Sequence, residues 1–280
     1  MYQPQIPLAG VAGWRFLERT QETQQAAFDA SPELDRKIEY FREKIGSVTE
    51  VADLMQDHRL LEFSLTAFGL EEEIDKKAFI RKALEEGTDD EESFANKIVD
   101  KTYAKMSEAF GFGNEGGVQT GNPEFVEDIV NRFRDHSFQV AVGNADNNMR
   151  LALHFKQEAL DLAEGGTDDG PRSWYTVLGS ESLRTVFETA FGFPSQFVNL
   201  DIDRQAEYMA DKARQMFGSE DLSFLSDPEN VEKMIVNFLA RAQLNGDYNV
   251  ATGPAATALT LLQSGSSQGS SGLLNLLYGY

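Results

Sequence analysis

Several residue groups in this chain have types and spacings that could do chemistry. Gly111-Phe-Gly-Asn-Glu-Gly116 matches G-x-G-x-x-G. A dinucleotide site needs that loop between a strand and a helix, so that the helix N-terminus faces the pyrophosphate. Here the preceding residues carry a helical apolar pattern, which makes the run a helix–helix loop. Gly87-Thr-Asp-Asp90 and Gly166-Thr-Asp-Asp169 cluster carboxylates that a hard cation could use, but neither has the alternating ligand spacing of an EF-hand. In Asn144-Ala-Asp-Asn-Asn148 the oxygens alternate, yet Met149 and Phe155 stand where such a loop needs glycine and glutamate. All three read as helix starts.

The histidines give no more. His58, His136 and His154 are scattered, with no H-E-x-x-H among them. His154 lies in an apolar run and reads as a core or interhelical residue rather than a base. His58 and His136, each beside an aspartate, read as surface helix residues. Glu71-Glu-Glu73 and Asp89-Asp-Glu-Glu92 lie in polar stretches and read as partners of helix N-termini. A glycosidase pair would need its carboxylates to face each other across a cleft. No G-x-S-x-G occurs, and the absence of cysteine excludes disulfides, iron–sulfur clusters and thiolate zinc sites. The expectation is no catalytic, cofactor-binding or metal site, and no enzyme.

The elements around these groups are helical throughout. Leu34, Ile38, Phe41 and Ile45 form one apolar stripe that Gly46 stops. Similar stripes are expected at about 48–55, 60–68, 74–84, 90–110, 123–141, 145–163, 181–192, 203–217 and 228–245. Ser31-Pro-Glu, Asn122-Pro-Glu and Asp227-Pro-Glu each combine an N-cap residue, proline at the first helical position and a carboxylate in the first turn. Ala-Phe-Gly closes three runs, at 67–69, 109–111 and 190–192, with an apolar residue following each glycine. No segment alternates cleanly enough for a strand, so the fold class is all-α.

Aligning Ala67 with Ala190 pairs Leu54 with Val177, Leu60 with Leu183 and Phe63 with Val186 without a gap. Asn122-Pro-Glu-Phe-Val-Glu-Asp-Ile-Val-Asn131 likewise matches Asp227-Pro-Glu-Asn-Val-Glu-Lys-Met-Ile-Val-Asn237 with one insertion. These matches suggest related helical units, at about 48–140 and 172–245, inside an all-helical domain spanning 31–250. Residues 1–30, Gln-rich and polar, are expected to be a flexible N-terminal segment running into a short amphipathic helix. Residues 251–280 form a Ser/Gly-rich tail ending in Leu273, Leu274, Leu276, Leu277, Tyr278 and Tyr280, an uncharged apolar terminus. That end either docks on its own core or serves as an interaction tail for another protein.

A formal charge of −21 and a mean hydropathy of −0.39 bear on partners. Such a surface repels phosphodiester and anionic lipid, so nucleic acid is not an expected partner. No apolar run is long enough to insert in a membrane. The first residues lack a basic region and include Pro4 and Pro7, unlike a Sec signal, so synthesis without that signal in the cytoplasm is expected.

The Ala-Phe-Gly helix ends, Phe125-Val-Glu-Asp-Ile-Val-Asn131 and Ala141-Val-Gly-Asn-Ala-Asp-Asn-Asn-Met-Arg-Leu-Ala-Leu153 together carry a resemblance. The chain, over about 30–250, resembles an uncharacterised proteobacterial domain-of-unknown-function family whose members are often encoded among flagellar genes. The resemblance implies a helical fold and an association with flagellar assembly, with no catalytic residues to carry over. The expected role is therefore a non-enzymatic structural or assembly protein of the bacterial flagellum, acting through other proteins. The alternative is an acidic cytoplasmic chaperone or adaptor for a secreted flagellar component.

Overall fold

The computed structural model describes residues 2–98, 100–165 and 170–245. Among them are thirteen α-helices and no strand. They are α1 (Gly10–Asp29), α2 (Pro32–Lys44), α3 (Val51–Gln56), α4 (His58–Ala67), α5 (Lys77–Glu86), α6 (Phe94–Lys97), α7 (Thr102–Phe110), α8 (Pro123–Ala145), α9 (Asn147–Glu164), α10 (Trp174–Gly179), α11 (Glu181–Phe191), α12 (Ile202–Phe217) and α13 (Pro228–Leu244). None of these helices is long and apolar enough to cross a membrane. The all-α expectation holds.

The helix ends follow the local chemistry. Asn122 and Asp227 each accept the backbone N–H two residues on, from Glu124 and Glu229, in front of a first-turn proline. Ser31 departs from that pattern, since its buried hydroxyl has no hydrogen-bond partner among the described residues. At Gly69 and Gly192 the chain turns left-handed, with φ of +72° and +74°. There Leu70 N–H donates to the Leu65 carbonyl and Phe193 N–H to that of Glu188, the six-to-one bond of a Schellman stop. Gly111 closes α7 with the single bond to Ser107 of the simpler left-handed cap.

The offset that aligns Ala67 with Ala190 also aligns the helices. A six-residue helix, a one-residue joint and a longer helix occur as α3–Asp57–α4 and again as α10–Ser180–α11. Both joint residues cap the helix that follows. Each longer helix then packs on a Pro-Glu helix, α4 on α8 and α11 on α13. The α8–α9 hairpin links the two groups, α9 packing on α11 and α13, and is joined by Asp146 alone, whose carboxylate accepts the Asn148 and Met149 N–H groups. The Arg150 side chain crosses back over Gly143, where a Cβ would lie 2.6 Å from its Cδ. The Val-Gly…Asp…Met-Arg stretch is thus a close-packed hairpin turn.

One contiguous apolar core runs through the described residues. Phe63 stacks between Phe41 and Phe133, at 4.2 and 3.8 Å between ring centres, joining α2, α4 and α8. Phe187 meets Phe155, Trp174 and Phe191 edge-on, joining α9, α10 and α11.

Two expectations need correction. Residues 1–30 are not a flexible segment with a short helix, because α1 is twenty residues long and buries Trp14, Leu17 and Phe28 against the body. Its glutamines obscure the stripe, and one of them, Gln24, is itself buried, bonding the Gln5 backbone at both its N–H and its carbonyl. The expected helix over 90–110 is two, α6 and α7, since Ile98 is extended and ends the first.

Candidate functional site

The motifs singled out in the sequence lie in loops and at helix ends where they are described. The glycine loop 111–116 joins α7 to α8 and lies against the first Gly-Thr-Asp-Asp loop. Asn114 Oδ1 accepts the Thr88 N–H at 2.7 Å, and Asp89 Oδ2 accepts the Glu115 N–H at 2.6 Å. A Cβ on Gly113 would collide with the Gly87 backbone, so the glycines there permit loop-to-loop approach. The second such loop, 166–169, and the tail residues Leu273, Leu274, Leu276, Leu277, Tyr278 and Tyr280 lie outside the described residues. Among the described residues no three His, Asp or Glu side chains converge as a metal-ligand set.

A polar cleft of about 120 Å³ opens between the end of α4, the start of α7, the α8–α9 hairpin and the α10–α11 joint. A string of titratable side chains runs along it. His136 Nε2 lies 2.9 Å from Glu71 Oε1. His154 follows on α9, and Glu158 and Asp161 continue the same face. Lys105 Nζ, from α7, donates to Glu158 Oε2 at 2.6 Å and lies 3.3 Å from Asp161 Oδ2. Arg172 grips Asp161 with two bonds, Nε to Oδ2 at 3.1 Å and Nη2 to Oδ1 at 2.9 Å.

Position decides the charge states. Burial pushes the His154 imidazole below the ordinary histidine value, and His136, Arg150 and Lys105 push it further against the pull of Glu158. It is neutral at pH 7, with no hydrogen bond to another described group. Burial alone would raise the Asp161 carboxyl, but Arg172 and Lys105 hold it below the usual carboxylate range. Glu71 is held down in the same way by His136, against its own burial, while its Oε2 is buried without a partner among the described residues.

The sequence separated what the fold brings together. His136 is not a surface residue, since its side chain is 18% exposed and Glu71 reaches it from 65 positions away. Glu71 and Glu73 stand in the first turn of the short 3-10 helix Glu71–Glu73, as expected, but each also reaches another helix. Glu71 ties to α8 through His136, and Glu73 accepts the Tyr103 hydroxyl of α7 at 2.7 Å. His58 does stand at the surface. Lys105 and Arg172 were not singled out by the sequence at all, although the single face His154, Glu158 and Asp161, at i, i+4 and i+7, was legible there. Chemically, the cleft offers one neutral imidazole. Glu158 and Asp161 pair with Lys105 and Arg172, Lys101 and Arg132 turn instead to the Asn96 carbonyl and to Asp128, and the Ser180 hydroxyl caps α11.

The second notable surface is apolar. Tyr175, Val198 and Ile202 are 48%, 50% and 51% exposed. The Tyr175 hydroxyl donates to Asp203, the neighbour of Ile202, at 2.7 Å, and Gln205 of α12 donates to the Val198 and Leu200 carbonyls. Ile202 opens the stripe that continues as Ala206, Met209 and Ala213, all buried, so the stripe extends beyond its cover.

The model of a family described as protein of unknown function, DUF1217, matches residues 67–231. The chain belongs to the DUF1217 family. The match begins at the first Ala-Phe-Gly stop and takes in α5 to α12, hence most of the cleft and all of the apolar surface. It is narrower than the 30–250 that the sequence resemblance suggested. The X-ray crystal structure of protein AGR_C_984 from Agrobacterium tumefaciens is similar to this chain, with 28% identity and a TM-score of 0.71 over 87% of this chain and 99% of that one. The likeness therefore extends beyond the span of the DUF1217 match. A comparison with functionally curated proteins finds no match.

Proposed function

We propose that the chain is a non-enzymatic structural or assembly protein associated with the bacterial flagellum, working through contacts with other proteins. The observation that carries the interaction reading is the contrast between the two surfaces. Glu158 and Asp161 of the cleft are paired with Lys105 and Arg172, whereas Tyr175, Val198 and Ile202 are half-exposed large apolar side chains. Exposed apolar groups rimmed by polar residues mark protein contact sites. The flagellar part of the reading rests on the resemblance to a family often encoded among flagellar genes, and a cysteine-free, acidic chain accords with it. Its partners are flagellar components, and the apolar terminus at 273–280 is a second point of contact. The related helical groups, α3–α4 with α8 and α10–α11 with α13, are the products of an internal duplication.

A chaperone or adaptor would use the same surfaces but stay in the cytoplasm. Affinity purification of the full chain from its native cell, with and without a working flagellar export apparatus, separates the two. Export-dependent recovery with axial components supports the structural role. Recovery with one unexported client, whatever the state of the apparatus, supports the chaperone.

One observation favours a second reading. A neutral, unbonded His154 inside a cleft is the form a general base takes. Loss of an in vivo phenotype on His154→Gln, with stability and partner recovery unchanged, would move the function into the cleft.

A further inference from the structure

The polar groups on the wall of the cleft do not balance. Its carboxylates are well supplied with donors. Asp161 takes two bonds from Arg172 and faces Lys105, Glu158 Oε2 takes the Lys105 ammonium, and Asp100 Oδ1 takes the Thr102 N–H. The groups left over are mostly donors. Lys101 donates to the Asn96 carbonyl, and no described carboxylate neutralises it. Arg132 gives its Nε–H to Asp128 and holds its guanidinium 5.4 Å from the centre of the Phe68 ring, so both Nη groups are without an acceptor among the described residues. The Thr102 and Thr176 hydroxyls line the same cavity without a described partner, as does the His154 imidazole.

A wall of unmet donors is completed by a molecule that presents acceptor oxygens and negative charge. The balance of charge agrees. The cleft is lined by four lysine and arginine side chains against three carboxylates, in a chain whose formal charge is −21. Size narrows the choice. A water needs roughly 10–15 Å³ of such space. The cleft's volume of about 120 Å³ therefore admits roughly ten water-sized groups. That is room for a phosphate ion or a short dicarboxylate rather than for a nucleotide.

We propose that the cleft binds a small oxyanion, the phosphate or carboxylate group of a small molecule, through Lys101, Arg132 and the imidazole of His154. The inference goes beyond the interaction reading, since it assigns the cleft and not the apolar surface, and it holds or fails whether or not the flagellar assignment is right. It also has a consequence for His154. The charged and titratable groups that face this ring are His136 of α8, Lys105 of α7, and Arg150 and Glu158 of its own helix, and of these only Glu158 favours the imidazolium. A bound oxyanion adds a second group that does.

The test titrates the full-length protein at pH 7 with sodium phosphate and, separately, with sodium succinate, in a calorimeter and at an ionic strength held constant with sodium chloride. At least one of the two is expected to bind saturably with Kd below about 1 mM. Phosphate alone marks the site as one for phosphate groups, succinate alone as one for carboxylates. Lys101→Met and Arg132→Met should each weaken that binding by about tenfold, as the loss of a charge-assisted hydrogen bond does. Lys77→Met, at an exposed position that does not line the cleft, should leave it unchanged. A second measurement needs no variant. In the protein labelled with ¹⁵N-histidine, saturation with the bound probe should move the His154 titration to higher pH and leave that of the exposed His58 in place. Heats no greater than chloride gives for both probes overturn the proposal. So does binding that survives both methionine substitutions, or a His154 titration that saturation does not move.

Discussion

Truncating Trp14 tests whether α1 belongs to the body. Its indole is fully buried, its Nε1–H donates to Glu232 of α13 at 3.2 Å, and the Lys156 ammonium of α9 lies 5.4 Å from the ring centre. Trp14→Ala removes a fully buried aromatic side chain, which costs about 3–5 kcal/mol. Trp14→Phe keeps most of the ring and loses the hydrogen bond, so about 1–2 kcal/mol is expected. Glu232 retains its 2.9 Å contact with Arg15, which limits that second loss. In a body of this size one kcal/mol moves Tm by roughly 2–4 °C, so Trp14→Ala should lower it by roughly 6–20 °C. Urea unfolding followed by far-ultraviolet circular dichroism gives both values, and the transition should remain single. A loss below about 1 kcal/mol for Trp14→Ala would refute the reasoning. So would an early transition confined to some twenty residues of helix, since α1 would then be an arm laid on a body complete without it.

Gly192→Ala places a side chain at φ +74° and against Arg241, and should cost about 1–2 kcal/mol. Gly116→Ala, with open space around it, should change stability by less than about 0.5 kcal/mol in the same denaturant titration. Because the folded protein holds His154 below its ordinary value, the unfolded chain binds that proton more readily. Stability should therefore fall as pH drops below about 6.5, and His154→Gln should flatten the slope below that pH in a series of thermal melts. Asp161 and Glu71 are held down instead, so what they contribute is present at neutral pH and is lost only as pH falls below about 4.5 and on through their lowered values. Asp161→Asn leaves Arg172 without its carboxylate. With about a third of each side chain in solvent, the cost should be roughly 1–2 kcal/mol rather than the 3–5 of a fully buried pair. A calorimetric Tm unchanged by that substitution would show the Asp161–Arg172 bond to be incidental.

What the sequence made legible was whatever is written within one turn of chain. The left-handed stops at Gly69, Gly111 and Gly192, the caps at Asn122 and Asp227, and the stripe Leu34–Ile38–Phe41–Ile45 need no distant partner to be recognised. α1 was obscured because its buried positions include Gln24 and two glycines, Gly10 and Gly13, which composition counts as loop-like. The cleft was obscured for a different reason. Glu71 meets His136, Lys105 meets Glu158 and Arg172 meets Asp161 only once the chain has folded back on itself. Nothing near His136 distinguishes it from the surface His58. The half-exposed Ile202 was hidden by its regularity, since it opens a correct apolar stripe and only the packing shows that its end is uncovered.

The flagellar assignment is tested most directly by quantitative mass spectrometry of purified filament–hook–basal-body complexes from the native cell. The structural reading predicts the chain at a fixed copy ratio to the ring proteins of the basal body, retained through washing at high salt and missing from cells without a working export apparatus. Absence from the complexes while the chain is abundant in the cytoplasm would contradict it.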